Sequence, residues 1–180
     1  MKNQNTKKLA YAALFLALCL VLPLLTGQIP QIGSMLLPMH IPVLLCGLVC
    51  GWQYGAAVGF VAPLLRSVLF GMPPMYPVAI AMAFELLTYG LVIGLVYRRM
   101  AQKGAAGVYA ALLTAMVAGR LVWGVTEVVL LGLGGKAFTA QAFLAGALLN
   151  AVPGIIVQLV LIPAVMAALQ KAGAVKQYAE

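Results

Sequence analysis

Four ionisable residues, Arg66, Glu85, Arg120 and Glu127, stand inside long apolar stretches, with Asn150 and Gln158 as neutral polar companions. Placing a charge at the centre of a bilayer costs roughly 2.5–3.5 kcal/mol on insertion scales, so such groups either pair or serve a substrate. At helical spacing, Arg120, Trp123, Gly124 and Glu127 share one face, and Glu85 and Tyr89 share another. The two arginines offer forked donors for a carboxylate or phosphate. Trp123 and Tyr89 offer rings for a flat or amphipathic ligand, although core packing accounts for such rings equally well. Arg120 and Glu127 are two turns apart, roughly 10 Å, so their partners are expected on other helices or on a ligand. The competing structural reading pairs both arginines and both glutamates as buried salt bridges that hold a bundle together.

Other chemistry is thinly represented. The chain has one histidine, His40, and three acidic residues, the third being Glu180 at the end. No nucleophile elbow, zinc-protease motif or phosphate-binding glycine loop occurs, which argues against an enzyme and leaves no catalytic residue to name. Cys19, Cys46 and Cys50 all lie in apolar runs. Cys46 and Cys50 are one turn apart, but no further Cys or His completes a tetrahedral set, so they read as small packing residues and no metal is expected. Met35, Met39, Met72 and Met75 flank two loops. Thioethers suit Cu(I), yet methionines also make adaptable apolar covers, and that is the preferred reading. No cofactor is implied.

The elements that must carry these groups follow from composition. Of 180 residues, 64% are hydrophobic and 8% charged, with a mean hydropathy of +1.08. Soluble domains run at about 45–50% apolar and about 25% charged. The fold class is therefore an all-α integral membrane protein, one domain over 1–180, built as a bundle of six transmembrane helices. The expected spans are Leu9–Leu25, Met39–Cys50, Gln53–Phe70, Tyr76–Tyr97, Tyr109–Leu131 and Ala140–Leu169. The second is short and begins within the loop before it. The first, though preceded by lysines, exceeds a signal-peptide core and lacks a cleavage pattern, so it reads as a retained helix.

Lys2, Lys7, Lys8, Arg98, Arg99, Lys103, Lys171 and Lys176 would face one side, against Lys136 alone on the other. The positive-inside rule then makes both termini cytoplasmic. Tyr11, Trp52, Tyr54, Tyr97 and Tyr109 would fall at the inner interface. The net charge of +8 is thus topological rather than a nucleic-acid footprint. In this orientation Arg66 and Glu127 lie roughly 6 Å below the outer helix ends, Glu85 and Asn150 roughly 14–15 Å, and Arg120 near the midplane. His40 would open the second helix at the outer surface. The pattern is a polar pocket in the outer half of helices three to six.

Small residues recur every four positions: Gly47, Gly51, Gly55 and Gly59, then Gly90 and Gly94, then Ala164 and Ala168. Most read as packing between helices of this chain. Ala13 and Ala17 on the first helix are the exception.

His40-Ile41-Pro42-Val43-Leu44-Leu45-Cys46-Gly47 through Gly51, Gly55 and Gly59 resembles the second and third helices of the substrate-binding S components of energy-coupling factor (ECF) vitamin transporters. Asn150-Ala151-Val152-Pro153-Gly154 to Pro163 resembles their last helix, and Ala13-Leu14-Phe15-Leu16-Ala17 their first. The resemblance implies a plasma-membrane subunit that captures a vitamin or related micronutrient from outside and has no ATPase of its own. It implies docking, through Ala13 and Ala17, on a transmembrane coupling protein that carries two cytoplasmic ATPases. Substrate contacts would come from His40, Arg66, Glu85, Tyr89, Arg120, Trp123, Glu127 and Asn150, and the arginines favour pantothenate. The alternative is a stand-alone proton-coupled secondary transporter or small channel, with Glu85 or Glu127 carrying protons. The apolar inner halves below Gln158 count against it.

Overall fold

A computed structural model describes residues 2–25, 35–135, 139–145 and 151–173. Helix α1 spans Lys2–Leu25, α2 His40–Cys50, α3 Trp52–Phe70, α4 Ile80–Met100, α5 Ala105–Leu133, α6 Ala140–Leu144 and α7 Val152–Lys171. A wide turn, Met75–Ala79, leads into α4. No strand occurs among the described residues. The segments Gln4–Leu25, Trp52–Phe70, Met75–Met100, Ala105–Leu133 and Val152–Lys171 are long and apolar enough to cross a bilayer. The shorter α2 is the sixth member of the bundle. The protein is therefore an all-α, multi-pass membrane protein.

α4 is the central element, packed along α3 on one side and α5 on the other, while α2 touches α1, α3, α4 and α7. Glycines permit this density. Without a hydrophobic drive between helices in lipid, close backbone approach supplies the packing energy. A Cβ built on Gly90 would lie 2.2 Å from the backbone carbonyl carbon of Gly55, and one on Gly59 would lie 2.2 Å from the Leu86 carbonyl oxygen. Gly51 has φ +99, outside the range of L side chains, and breaks the chain between α2 and α3. The Gly47–Gly59 and Gly90–Gly94 series are thus contacts within the chain. Ala164 and Ala168 depart from that expectation: both are exposed, on the side of α7 opposite its buried stripe Gly154, Gln158, Ile162 and Met166.

The last expected span, Ala140–Leu169, is described as α6 and α7, with residues 146–150 outside the described residues. Pro153 suits the start of α7, because a proline lacks the N–H that a helix interior requires and fits the first turn. The second span is only 11 residues, about 16 Å at 1.5 Å per residue, against an apolar thickness of about 30 Å. One of its ends therefore lies inside the membrane. Of the aromatics expected at the inner interface, Tyr11 and Tyr109 are exposed, whereas Tyr97 is buried and accepts a hydrogen bond from Gln170 Nε2 at 3.3 Å.

Candidate functional site

α4 presents Glu85 and Tyr89 one turn apart on a buried face, and the carboxylate is 1% exposed. From α5, Arg120 Nη1 comes within 2.9 Å of Glu85 Oε1. From the first residue of α2, His40 Nε2 comes within 3.4 Å of the same oxygen. His40 is also 1% exposed, so it is not at the outer surface as expected but at the depth of Glu85 and Arg120. The short α2 allows that depth. Its ring meets Tyr89 edge to face, with centroids 5.2 Å apart. Tyr89 in turn lies against Gly119, where a Cβ would be 3.0 Å from the phenol ring. Three helices thus converge on one carboxylate.

The cluster has hydrogen-bonding capacity that the described residues do not fill. His40 Nδ1 and Nε2, Glu85 Oε1, and Arg120 Nε and Nη2 are buried and lack a hydrogen-bond partner among them. Glu85 Oε1 is at ion-pair distance from Arg120 and close to His40 without the alignment a hydrogen bond needs. On α7, which packs on α2, Gln158 Nε2 is likewise buried without a partner. An unmet buried polar group costs about 1–3 kcal/mol. Several of them around one ion pair are unusual in a native core, and such groups are met by ordered water or by a polar ligand.

The other expected site residues divide. Glu127, 6% exposed, has no ion pair among the described residues. Trp123 is stacked on Phe143 of α6, centroids 6.1 Å apart and planes at 24°, and Gly124 abuts the same ring. That side of α5 borders an apolar groove lined by Leu121, Val125, Val128 and Phe143. Asn150 lies outside the described residues. Arg66 is buried but turned elsewhere: its Nη1 donates to the Leu20 carbonyl of α1, and its guanidinium lies 5.1 Å from the Phe70 ring centroid.

Arg66 therefore acts as a clasp between α1 and α3. Arg66→Met is expected to lower stability by about 1.5–3 kcal/mol, the worth of a charged hydrogen bond. Substrate affinity should stay within about threefold, under ~0.7 kcal/mol. Thermal unfolding and titration of the purified variant measure both, and a tenfold loss of affinity would return Arg66 to the site.

The roof of the cluster is tied to α1 as well. Cys19 Sγ donates to the Met39 carbonyl at 3.6 Å, directly before His40. Above it Leu37 has φ 51, a left-handed conformation uncommon for a bulky residue. Met35 and Leu36 run against Gly154 of α7, where a Cβ would be 2.6 Å from the Met35 carbonyl oxygen. α1 meanwhile leaves Ala10, Ala13, Leu14, Ala17 and Val21 exposed along one face.

A sequence model of the family described as "ECF transporter, substrate-specific component" matches residues 7–167, nearly the whole chain. The chain belongs to this family. No curated protein and no solved structure matches it. As a substrate-specific component of an ECF transporter it is a membrane transport subunit and not an enzyme. The family implies a small-molecule substrate and an energy-coupling module as partner. In an ECF component, a buried ion pair with unmet hydrogen-bonding capacity is the natural candidate for the substrate site. Sequence reasoning singled out His40, Glu85, Tyr89 and Arg120, which meet here. It left Gln158 among the companions, although its place on the buried period-four stripe of α7 marks it equally well.

Proposed function

We propose that this ECF component captures a vitamin or related micronutrient in a chamber centred on His40, Glu85 and Arg120, and delivers it inward through an ATP-driven partner module. The observation that carries this reading is the set of buried donors and acceptors on those three side chains that no described residue satisfies. A folded protein tolerates that cost where a ligand supplies the missing partners. The cluster belongs to the outer half of the membrane when the Lys- and Arg-rich ends face the cytoplasm, which suits capture from outside. Capture from outside places the protein in the plasma membrane.

The partner module comprises a transmembrane coupling protein and two cytoplasmic ATPases, with the exposed Ala13–Ala17 face of α1 as the docking surface. Small residues exposed at one-turn spacing let a partner helix approach closely. Pantothenate is the favoured substrate, since its carboxylate would answer to Arg120.

Purified protein, denatured and analysed by mass spectrometry, is expected to release about one equivalent of a vitamin-like compound, as a nanomolar binder retains its ligand through purification. Folded protein from vitamin-replete cells that releases nothing would count against high-affinity capture.

A further inference from the structure

We propose that the site is built for a carboxylic acid, whose carboxylate sits on the Nε–Nη2 edge of Arg120 beneath the N-terminal end of α2. This rests on the substrate-capture reading above and names the chemistry it would select.

The guanidinium is divided in use. Nη1 faces Glu85, whereas Nε and Nη2 are buried and unpartnered among the described residues. Those two nitrogens carry the parallel N–H bonds that match the two oxygens of a carboxylate, the strongest geometry available to arginine. Glu85 is then a positioning residue: it fixes the guanidinium by one nitrogen and leaves the fork free. Arg66, the other candidate for an anion, is engaged with α1.

Charge decides whether an anion is tolerable. Arg120 and Glu85 nearly cancel, so a second source of positive potential is needed, and α2 supplies it. Its axis starts at the buried His40, and its N-cap, Met39, makes no side-chain cap. The N-terminus of a helix carries about half a positive charge, and broken membrane helices present that end to anionic substrate groups. The end is also cheap to bury. His40 N–H is bonded to the Leu37 carbonyl at 3.0 Å, and Pro42 has no N–H to satisfy. His40, with both ring nitrogens buried and without a hydrogen bond among the described residues, is the second observation that marks this end as a binding surface.

The same helix fixes a second requirement. Glu127 lies seven residues beyond Arg120 on α5, about 10 Å along the axis at 1.5 Å per residue. It is buried, acidic and without an ion pair among the described residues, so it calls for a hydroxyl, amide or ammonium donor. The ligand class is a small carboxylic acid with a hydrogen-bond donor toward its other end.

The test uses the full-length protein in detergent, titrated with pantothenate, biotin and nicotinate, each as free acid and methyl ester, and with carboxylate-free riboflavin and thiamine. One free acid should bind, and its ester, which keeps a carbonyl acceptor but loses the charge and the second oxygen's bond, should bind about 100-fold more weakly, the worth of about one charged hydrogen bond. Arg120→Lys, which keeps the charge but not the fork, should lose most of the acid's advantage while binding the ester as the native protein does. Tight binding of riboflavin or thiamine, or equal affinity for acid and ester, would overturn the carboxylate niche and leave substrate capture standing. Failure of every compound to bind, together with release of none from the denatured protein, would overturn both.

Discussion

Gly90→Ala is expected to remove most of the correctly folded protein, although it adds a single methyl group. At this position the new Cβ would lie 2.2 Å from both the carbonyl carbon and oxygen of Gly55 and 2.7 Å from the Ala56 nitrogen. All three are backbone atoms, so no side-chain rotation relieves the overlap. Overpacking a core costs about 1–3 kcal/mol when side chains can adjust. Here α3 and α4 must separate, and the loss should sit at or above ~3 kcal/mol, with a fall in thermal midpoint of about 6 °C or more. Function should fall with it. Glu85 and Tyr89 ride on α4 beside Gly90, so any shift of that helix moves Glu85 away from Arg120 and His40. Gly132→Ala on α5 is the control, since nothing lies within 4 Å of its would-be Cβ. It should be neutral or stabilising by up to ~1 kcal/mol through helix propensity. Size-exclusion recovery and thermal unfolding of the two variants decide the matter, and a Gly90→Ala protein melting like the control would show that the helices are not in backbone contact.

Composition made the class of fold legible, because a chain so poor in charge cannot cover itself against water. Spacing made much of the candidate site legible: Arg120, Glu85 and Tyr89 stood out as polar groups in apolar runs. What spacing could not supply was direction and depth. Arg66 and Glu127 occupy equivalent places near helix ends, yet one faces a carbonyl of α1 and the other faces the interior. Which neighbour a helix face meets is a tertiary fact. Ala164 and Ala168 show the same ambiguity, since a period of four reads alike whether it faces a helix or lipid. His40 was placed too shallow because the start of an apolar run was equated with the membrane surface. In the fold it is 1% exposed and its ring lies beside Glu85. Trp123 has its stacking partner, Phe143, on α6, within the stretch expected as the last span, and spacing alone does not show which helix a ring will meet.

Removing Glu85 and Arg120 singly and together should separate a bundle-holding ion pair from a substrate site. Glu85→Ala leaves the Arg120 guanidinium in the membrane interior with its counter-charge gone, and breaking one side of a buried pair costs about 3–5 kcal/mol. Arg120→Met strands the Glu85 carboxylate in the same way, with the His40 ring beside it. In the double variant no charge remains uncompensated, and the apolar replacements should recover most of the lost stability, as they often do for buried pairs. Coupling in stability should therefore be strong and of the sign that makes the double variant better than the sum of the singles. Binding should behave differently. If the pair only held helices together, a refolded double variant would bind substrate about as well as the native protein. If Arg120 holds the substrate, affinity should fall about 100-fold or more in every variant that lacks it, whatever its stability. Glu85→Gln refines the contrast, because an amide oxygen can still orient Arg120 Nη1 while removing the competing negative charge. That variant should keep the fork in place and bind a carboxylate at least as well as the native protein, an outcome that a purely structural pair gives no reason to expect.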